Sequence, residues 1–261
     1  MTDHISAPSA DVDRTMSPEA NGGGRDHRDV VARIRQRIDA RNKELLKQPY
    51  FQLCRTKEIT RAQVIDVIKQ VYCFSFYFER LLTRRIAEWS HDEDGRMLQL
   101  ARAHLRDELG HVQLFQECLN VNGVSDQELA DLKPKTFTKA VFGYLLATIQ
   151  HENEYVSNVA LMQVMESIGC HFFSATVTAM RAHGMVADAM AQHQEDDAAH
   201  AELGLELLAY LDEPTLRDCD RIIEDLYRLM GLMFDDWMNI AEVGSSRPPR
   251  RRRRSRPPRA N

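Results

Sequence analysis

Two stretches of this chain place imidazoles and carboxylates at matching intervals. One holds His104, Glu108 and His111, and the other His193, Asp197 and His200. Spacing of i, i+4, i+7 sets three side chains on one face of a helix. Both triplets continue apolar stripes: Met97, Ala101, His104, Glu108, His111, Phe115, Cys118 in one, and Val186, Met190, His193, Asp197, His200, Gly204, Leu207, Leu211 in the other. They are therefore expected to point into a core. Asp107, Glu195, Asp196 and Glu202 fall off these stripes and read as solvated. Two further stripes each carry one carboxylate. Ile68, Tyr72, Ser75, Glu79, Leu82, Ile86, Trp89 carries Glu79, and Tyr155, Val159, Met162, Glu166, Gly169, Phe173 carries Glu166.

An ionised carboxylate in an apolar interior costs several kcal/mol unless it is paired. Any one of these groups has an ordinary explanation. A single buried histidine can satisfy itself on a backbone carbonyl, and Glu79 could pair with Arg80, Arg84 or Arg102. Glu152 and Glu154 are alternatives to Glu166, which sits better among Val159, Met162 and Phe173. The set taken together has no such explanation, because its burial without a partner would exceed the roughly 5–15 kcal/mol stability of a whole domain. The common partner that fits is a metal pair. Glutamate, aspartate and neutral histidine suit iron or manganese, and carboxylates bridge two ions. The five cysteines, Cys54, Cys73, Cys118, Cys170 and Cys219, are scattered with no CxxC pair. They point away from an iron–sulfur centre, structural zinc or a disulfide framework, and toward a reducing, cytoplasmic setting.

Positioning such a set requires helices. No strand-like alternation appears, and helical periodicity runs through most of the 261 residues. Turn residues cluster at Gln48-Pro49, 90–95, 122–125, 133–135, His183-Gly184 and 212–214. The expected helices cover 28–46, 61–89, 96–120, a short turn at 127–132, a long or kinked element at 138–182, then 186–211 and 216–241. The expectation is an all-α fold: a single bundle of six to seven antiparallel helices over 27–242. Glu79, Glu108, Glu166 and Asp197 follow one another at intervals of 29, 58 and 31 residues, each long enough for the chain to return antiparallel.

Polar segments flank this bundle. Residues 1–26 are rich in Ser, Pro, Asp and Gly without an apolar signal core. Residues 243–261 carry eight arginines and no acid, so the formal −5 of the chain hides −13 on the remainder. Proline and arginine cannot build a core, and both segments are expected to be disordered tails. No aromatic residue is interleaved for base stacking, so nucleic acid is not the expected partner. No apolar run is long enough to span a bilayer. No phosphate-cradling or dinucleotide-binding glycine motif is present.

The constellation resembles that of the haem-oxygenase-like di-iron oxidases and oxygenases. The matching residues are Glu79 in Phe-Glu-Arg-Leu, Glu108-Leu-Gly-His111, Glu166 in Val-Met-Glu-Ser, and His193-Gln-Glu-Asp-Asp197-Ala-Ala-His200, over about 61–211. The resemblance implies a haem-oxygenase-like bundle without haem. One iron would be held by Glu79, His111 and His200, the other by Glu108, Glu166, His193 and Asp197. Some relatives place a further carboxylate ligand one or two turns before Glu-x-x-His. Ala101 and His104 stand there in this chain, leaving His104 as either a ligand or a group behind the ligands. Implied too are two Fe(II)/Fe(III) ions, dioxygen as co-substrate, an external electron donor, a small organic substrate (an amine, amino acid or fatty acid undergoing N-oxygenation, C–C cleavage or desaturation, as in specialised metabolism) and a homodimer. Aromatic residues Phe74, Phe76, Tyr77 and Phe78, with Met162, Phe172 and Phe173, are candidates to line the substrate cavity. Three rivals remain at this point: a ferritin-like di-iron protein, a metal-free thiaminase-like or quinone-cofactor-maturation relative using Cys170, and an interaction protein with a basic tail.

Overall fold

In the computed structural model, residues 27–90 and 95–239 are described, and all regular structure among them is helical. The segments read as tails, 1–26 and 243–261, lie outside the described residues, as does most of the turn at 90–95.

Helix α1 (His27–Leu45) buries Ile34, Ile38 and Leu45 and turns Arg33, Arg37 and Arg41 toward the last helix. That helix, α11 (Glu213–Trp237), answers with Asp220 and Glu224; Arg33 pairs with Asp220, and Arg41 Nε donates to Glu224 Oε1 at 2.9 Å. Helix α2 (Pro49–Thr56) is not expected from the sequence, where Gln48-Pro49 reads only as a break. Proline stands at its first turn, where its missing N–H costs nothing, and eight residues are too few to show a period.

Helix α3 (Arg61–Trp89) is the longest, with the bounds the periodicity predicts. A reciprocal cap starts it: Thr60 accepts from the Gln63 N–H and Gln63 returns a bond to Thr60 N–H. Its buried side includes Val71, Ser75, Phe78, Leu82, Arg85 and Trp89. This face is rotated from the expected stripe, so Arg85 is fully buried whereas Glu79 is only partly so.

Three of the long expected helices are broken. The third is two, α4 (Arg96–Glu108) and α5 (His111–Val121), separated by Leu109-Gly110. Gly110 has φ +99°, a conformation that opens a helix end and suits glycine. Helix α6 (Asp126–Ala130) is the short turn of helix. The element expected at 138–182 comprises α7 (Thr136–His151), α8 (Glu154–Asn158), a π-helical segment (Val159–Val164) and α9 (Met165–Ala182). Asn153 caps α8 by accepting from the Val156 N–H at 3.0 Å, and this restarts the chain after α7. The element expected at 186–211 is α10 (Asp188–His200) followed, after Gly204 at φ +77°, by a 3₁₀ segment (Leu205–Tyr210).

The elements pack as a bundle. Helix α3 lies against α4, α5, α7 and α9; α10 lies along α9; α11 lies against α1, α7 and the π segment. No helix among the described residues is long and apolar enough to cross a membrane.

Candidate metal centre

The buried polar groups converge where α4, α5, α9 and α10 meet. His104 and Glu108 come from α4, His111 opens α5, Glu166 lies in the first turn of α9, and His193, Asp197 and His200 come from α10. His104, Glu108, Glu166, His193, Asp197 and His200 are buried, and His111 is nearly so. One donor atom from each of His104, Glu108, Glu166 and His200 lies within 4.8 Å of the others, as does one from each of Glu108, His111 and His193. Glu108 is common to both groups, the place a bridging carboxylate occupies between two ions.

Local structure explains the convergence. The break after Glu108 lets His111 fold back beside it, with Nδ1 2.7 Å from Glu108 Oε2. His111 therefore does not sit on a continuous α4 face, as its spacing suggests. π-helical turns widen a helix by one residue and recur at functional sites. Here the turn precedes Glu166 and carries Gln163, whose Nε2 donates to the Leu203 carbonyl at 2.8 Å just beyond His200. The π segment thus ties the Glu166 helix to the end of α10. Gly169 gives Asp197 its room: a Cβ at that position would stand 2.1 Å from Asp197 Oδ2.

Glu79 stands apart from both groups. It is partly buried, and its Oε1 accepts from the Gly110 N–H at 3.3 Å, at the start of α5. Glu152, an alternative to Glu166, instead receives Arg221 Nη2 at 2.7 Å. Asp107, read as solvated, is exposed but places Oδ2 3.5 Å from His200 Nε2, leaving His200 Nδ1 to face Glu108 Oε1 at 3.4 Å and Glu166 Oε2 at 3.8 Å.

Burial pushes a carboxyl up and an imidazole down, and contacts with neighbouring groups work with or against it. Burial raises Glu108, yet the hydrogen bond with His111 and the nearby His200 hold it below the ordinary carboxylate range. Burial also raises Glu166, and His104 and His200 outweigh that. Asp197 has no such relief: burial and the charges of Glu166 and Glu108 lift it well above the usual value. Burial depresses His193 to about 4. In His200 burial is overcome by Glu108 and Glu166, which raise it to about 10.

The donor set fits a metal on an observation of its own. Glu108 Oε1, His193 Nδ1, Asp197 Oδ1 and His200 Nδ1 are buried and lack a hydrogen-bond partner among the described residues. Interiors seldom leave four polar atoms unpaired in one place. Oxygen and nitrogen donors without sulfur suit iron or manganese.

Beside the cluster lies a cavity with about 70 Å³ open to the centre of a water-sized molecule, several times what one water needs. Glu108, Glu166, His193 and Asp197 line it at one side, and Val71, Phe74, Phe78, Ile168, Phe172, Phe173, Met230, Met233, Phe234 and Trp237 form most of the rest. Among the described residues Ser75 adds a hydroxyl to the lining, and no lysine or arginine belongs to it. Of the aromatic residues expected there, Phe74, Phe78, Phe172 and Phe173 line the cavity, whereas Phe76 is exposed and Tyr77 and Met162 are elsewhere in the packing. Cys170 is not a lining residue.

Solved structures similar to this chain share its bundle at low identity. A domain of unknown function with a heme oxygenase-like fold from Shewanella denitrificans aligns with a TM-score of 0.70 and 16% identity, over 83% of this chain and 95% of its own. A CADD-like protein of unknown function from Nostoc punctiforme aligns with a TM-score of 0.65 and 13% identity, over 82% and 98%. A TenA homolog from Pseudomonas syringae aligns with a TM-score of 0.63 and 10% identity, over 80% and 92%. No curated protein matches the chain in sequence. The sequence pattern of the iron-containing redox enzymes matches residues 65–232, well over half of the chain. The chain has the haem-oxygenase-like fold and belongs to the iron-containing redox enzyme family.

Proposed function

We propose that this chain binds two iron ions at the α4–α5–α9–α10 junction and uses them with dioxygen to oxidise a small organic substrate. The observation that carries the reading is the set of unpaired buried donor atoms arranged about a shared Glu108. Glu108, Glu166 and His200 would bound one position, and Glu108, His111 and His193 the other, with Asp197 beside His193 at 3.2 Å. Glu79, whose Oε1 accepts from the Gly110 N–H, lies outside both groups and would join only by moving toward them. Bound iron supplies the redox chemistry toward dioxygen that no side chain here provides. Electrons would come from an external donor.

The chain's own residues do the rest. Asp107 orients His200, and Glu108 orients His111. The apolar wall excludes water from the reacting end. Because no lysine or arginine is among the described residues that line the cavity, it favours a substrate whose body is neutral and apolar, with its polar end turned to the carboxylate–imidazole side. That weighs against a substrate that carries a charge far from the carboxylate–imidazole side.

The rivals fit less well. The ferritin-like reading loses its fold. A thiol mechanism needs a cysteine whose proton is lost easily, but burial pushes Cys170 up, and Cys54, Cys73 and Cys118 to about 11.

Ferrous iron loaded without oxygen, counted per chain and then mixed with oxygen in an optical stopped-flow, tests the proposal. Close to two irons and a transient visible band are expected. Absence of tight iron and of any oxygen response would sink it. His200→Ala and His111→Ala should each lose one iron and all turnover while keeping the helical circular dichroism; two irons and full turnover in either would refute the assignment.

A further inference from the structure

Arg85 is among the largest fully buried side chains and is 0% exposed. Its Nη2 lies 3.2 Å from His104 Nδ1 and 3.4 Å from the Ala101 carbonyl oxygen. The guanidinium carbon sits 5.4 Å over the Trp89 ring, while Nε and Nη1 have no hydrogen-bond partner among the described residues. A buried cation with so little around it is costly, and its one imidazole contact settles a question about His104.

A guanidinium has N–H donors and no acceptor. His104 Nδ1 must therefore turn a lone pair toward Nη2. A hydrogen on Nδ1 would set N–H against N–H, so the ring hydrogen of His104 sits on Nε2. That nitrogen lies 2.8 Å from Glu166 Oε1 and donates to it. Coordination of a metal needs a free lone pair on a ring nitrogen. One nitrogen of His104 is taken by Arg85 and the other bears the proton.

We infer that Arg85, His104 and Glu166 form a relay in which His104 is a positioning residue and not a metal ligand. Arg85 sets the tautomer, His104 pins Glu166 by Oε1, and Glu166 keeps Oε2, on the His200 side, for the metal. The relay rests on the metal-centre reading in one respect, that Glu166 is a ligand. It also gives the buried arginine a purpose, since its charge reaches the carboxylates through the ring. Burial lowers the proton affinity of Arg85 to about 9 against the pull of Glu166, which leaves it charged at neutral pH.

The test is ¹⁵N NMR of histidine-labelled full-length protein, metal-free and loaded with diamagnetic Zn(II), with the His104 signals assigned by their loss in His104→Gln. A protonated Nε2 and an unprotonated Nδ1, unchanged by Zn(II), are the expected result. Loss of the Nε2 proton on Zn(II) addition, or a proton on Nδ1, overturns the relay. If the protein takes up no Zn(II), the metal-centre reading suffers, but the tautomer of the metal-free protein still decides the relay. Zn(II) counts supply the second arm. His104→Ala should keep the wild-type number of ions and bind them about ten- to a hundredfold more weakly, and His104→Gln, which retains an N–H donor, should recover most of that loss. Loss of a whole ion in both variants makes His104 a ligand. In Arg85→Leu the protonated Nε2 should give way to mixed tautomers; an unchanged spectrum in a folded variant removes Arg85 from the relay.

Discussion

The two ends of helix α9 solve the burial of polar atoms in opposite ways. Toward its C-terminal half, α9 packs with α2 and α11 in an aromatic core, where Tyr50, Phe172 and Phe234 stack at 5.4–5.7 Å and Phe51 meets Phe234 edge-on at 5.4 Å. The ring tips there have partners: Tyr50 Oη with Thr176 Oγ1 at 2.6 Å and Trp237 Nε1 to Thr138 Oγ1 at 2.7 Å. At its N-terminal turn α9 brings Glu166 into a cluster where four polar atoms have none. One region pairs the polar tips of its rings within the protein. The other keeps unpaired donor atoms that a cation would satisfy.

The largest effect that sharpens this contrast is expected in the aromatic region. Phe51→Ala removes a 3%-exposed ring from the aromatic core and should cost about 3–5 kcal/mol in denaturant unfolding. Metal bound per folded chain should stay as in the wild type. A parallel loss of metal would show that the two regions are not separable. Next comes metal itself. A dication at about a hundred times its dissociation constant should stabilise the protein by about 2.7 kcal/mol, seen as a rise in the thermal midpoint that tracks concentration. A midpoint indifferent to ferrous or manganous ion would mean that the cluster is self-sufficient.

How far the sequence foretells each region differs too. The helical period of Arg61 to Trp89 is long enough to yield both ends of α3, and the capping residues Thr60 and Gln63 lie in plain view. The four site helices are legible because polar residues interrupt apolar stripes in phase. Periodicity does not show the break at Leu109-Gly110, since Leu109 fits a helix and is in fact 61% exposed. Nor does it show the π turn, which depends on packing around Val159 to Val164. Each interruption shifts the phase of the residues after it, and so His111 and Glu166 reach the site by a route their spacing does not describe. Arg85 carries two conflicting signals: its charge suggests surface, but it follows Leu82 by three residues and precedes Trp89 by four, on a buried face. The phase, not the charge, decides its place. Asp107 carries no signal at all, because its contact with His200 comes from another helix.

Gly169→Ala probes the boundary between the regions, being one turn from Glu166 and one turn from Phe173. The new methyl would meet the Asp197 carboxylate and not a flexible apolar neighbour. Overpacking of this kind should cost about 1–3 kcal/mol in unfolding, and because Asp197 must move, metal affinity should fall as well. Isothermal titration of the variant with Mn(II), beside its denaturant midpoint, separates the two effects. Unfolding that weakens while affinity holds would place Asp197 outside the ligand set.

The smallest effect expected is that of Tyr50→Phe. The hydroxyl lost is buried and bonded to Thr176 Oγ1, but Thr176 keeps its own bond to the Phe172 carbonyl at 2.7 Å. No donor is stranded, so the loss should be that of one neutral hydrogen bond, about 0.5–1.5 kcal/mol in chemical denaturation. Removing a polar tip from the metal junction should behave otherwise. Asp197→Leu takes away a carboxyl that burial and two neighbouring carboxylates already disfavour, so the metal-free protein should gain stability while losing its ability to be stabilised by Mn(II). Opposite signs for the two deletions, read in the same denaturant series without metal, would establish that one end of α9 is tuned for folding and the other for an ion. Destabilisation of similar size in both would erase the distinction.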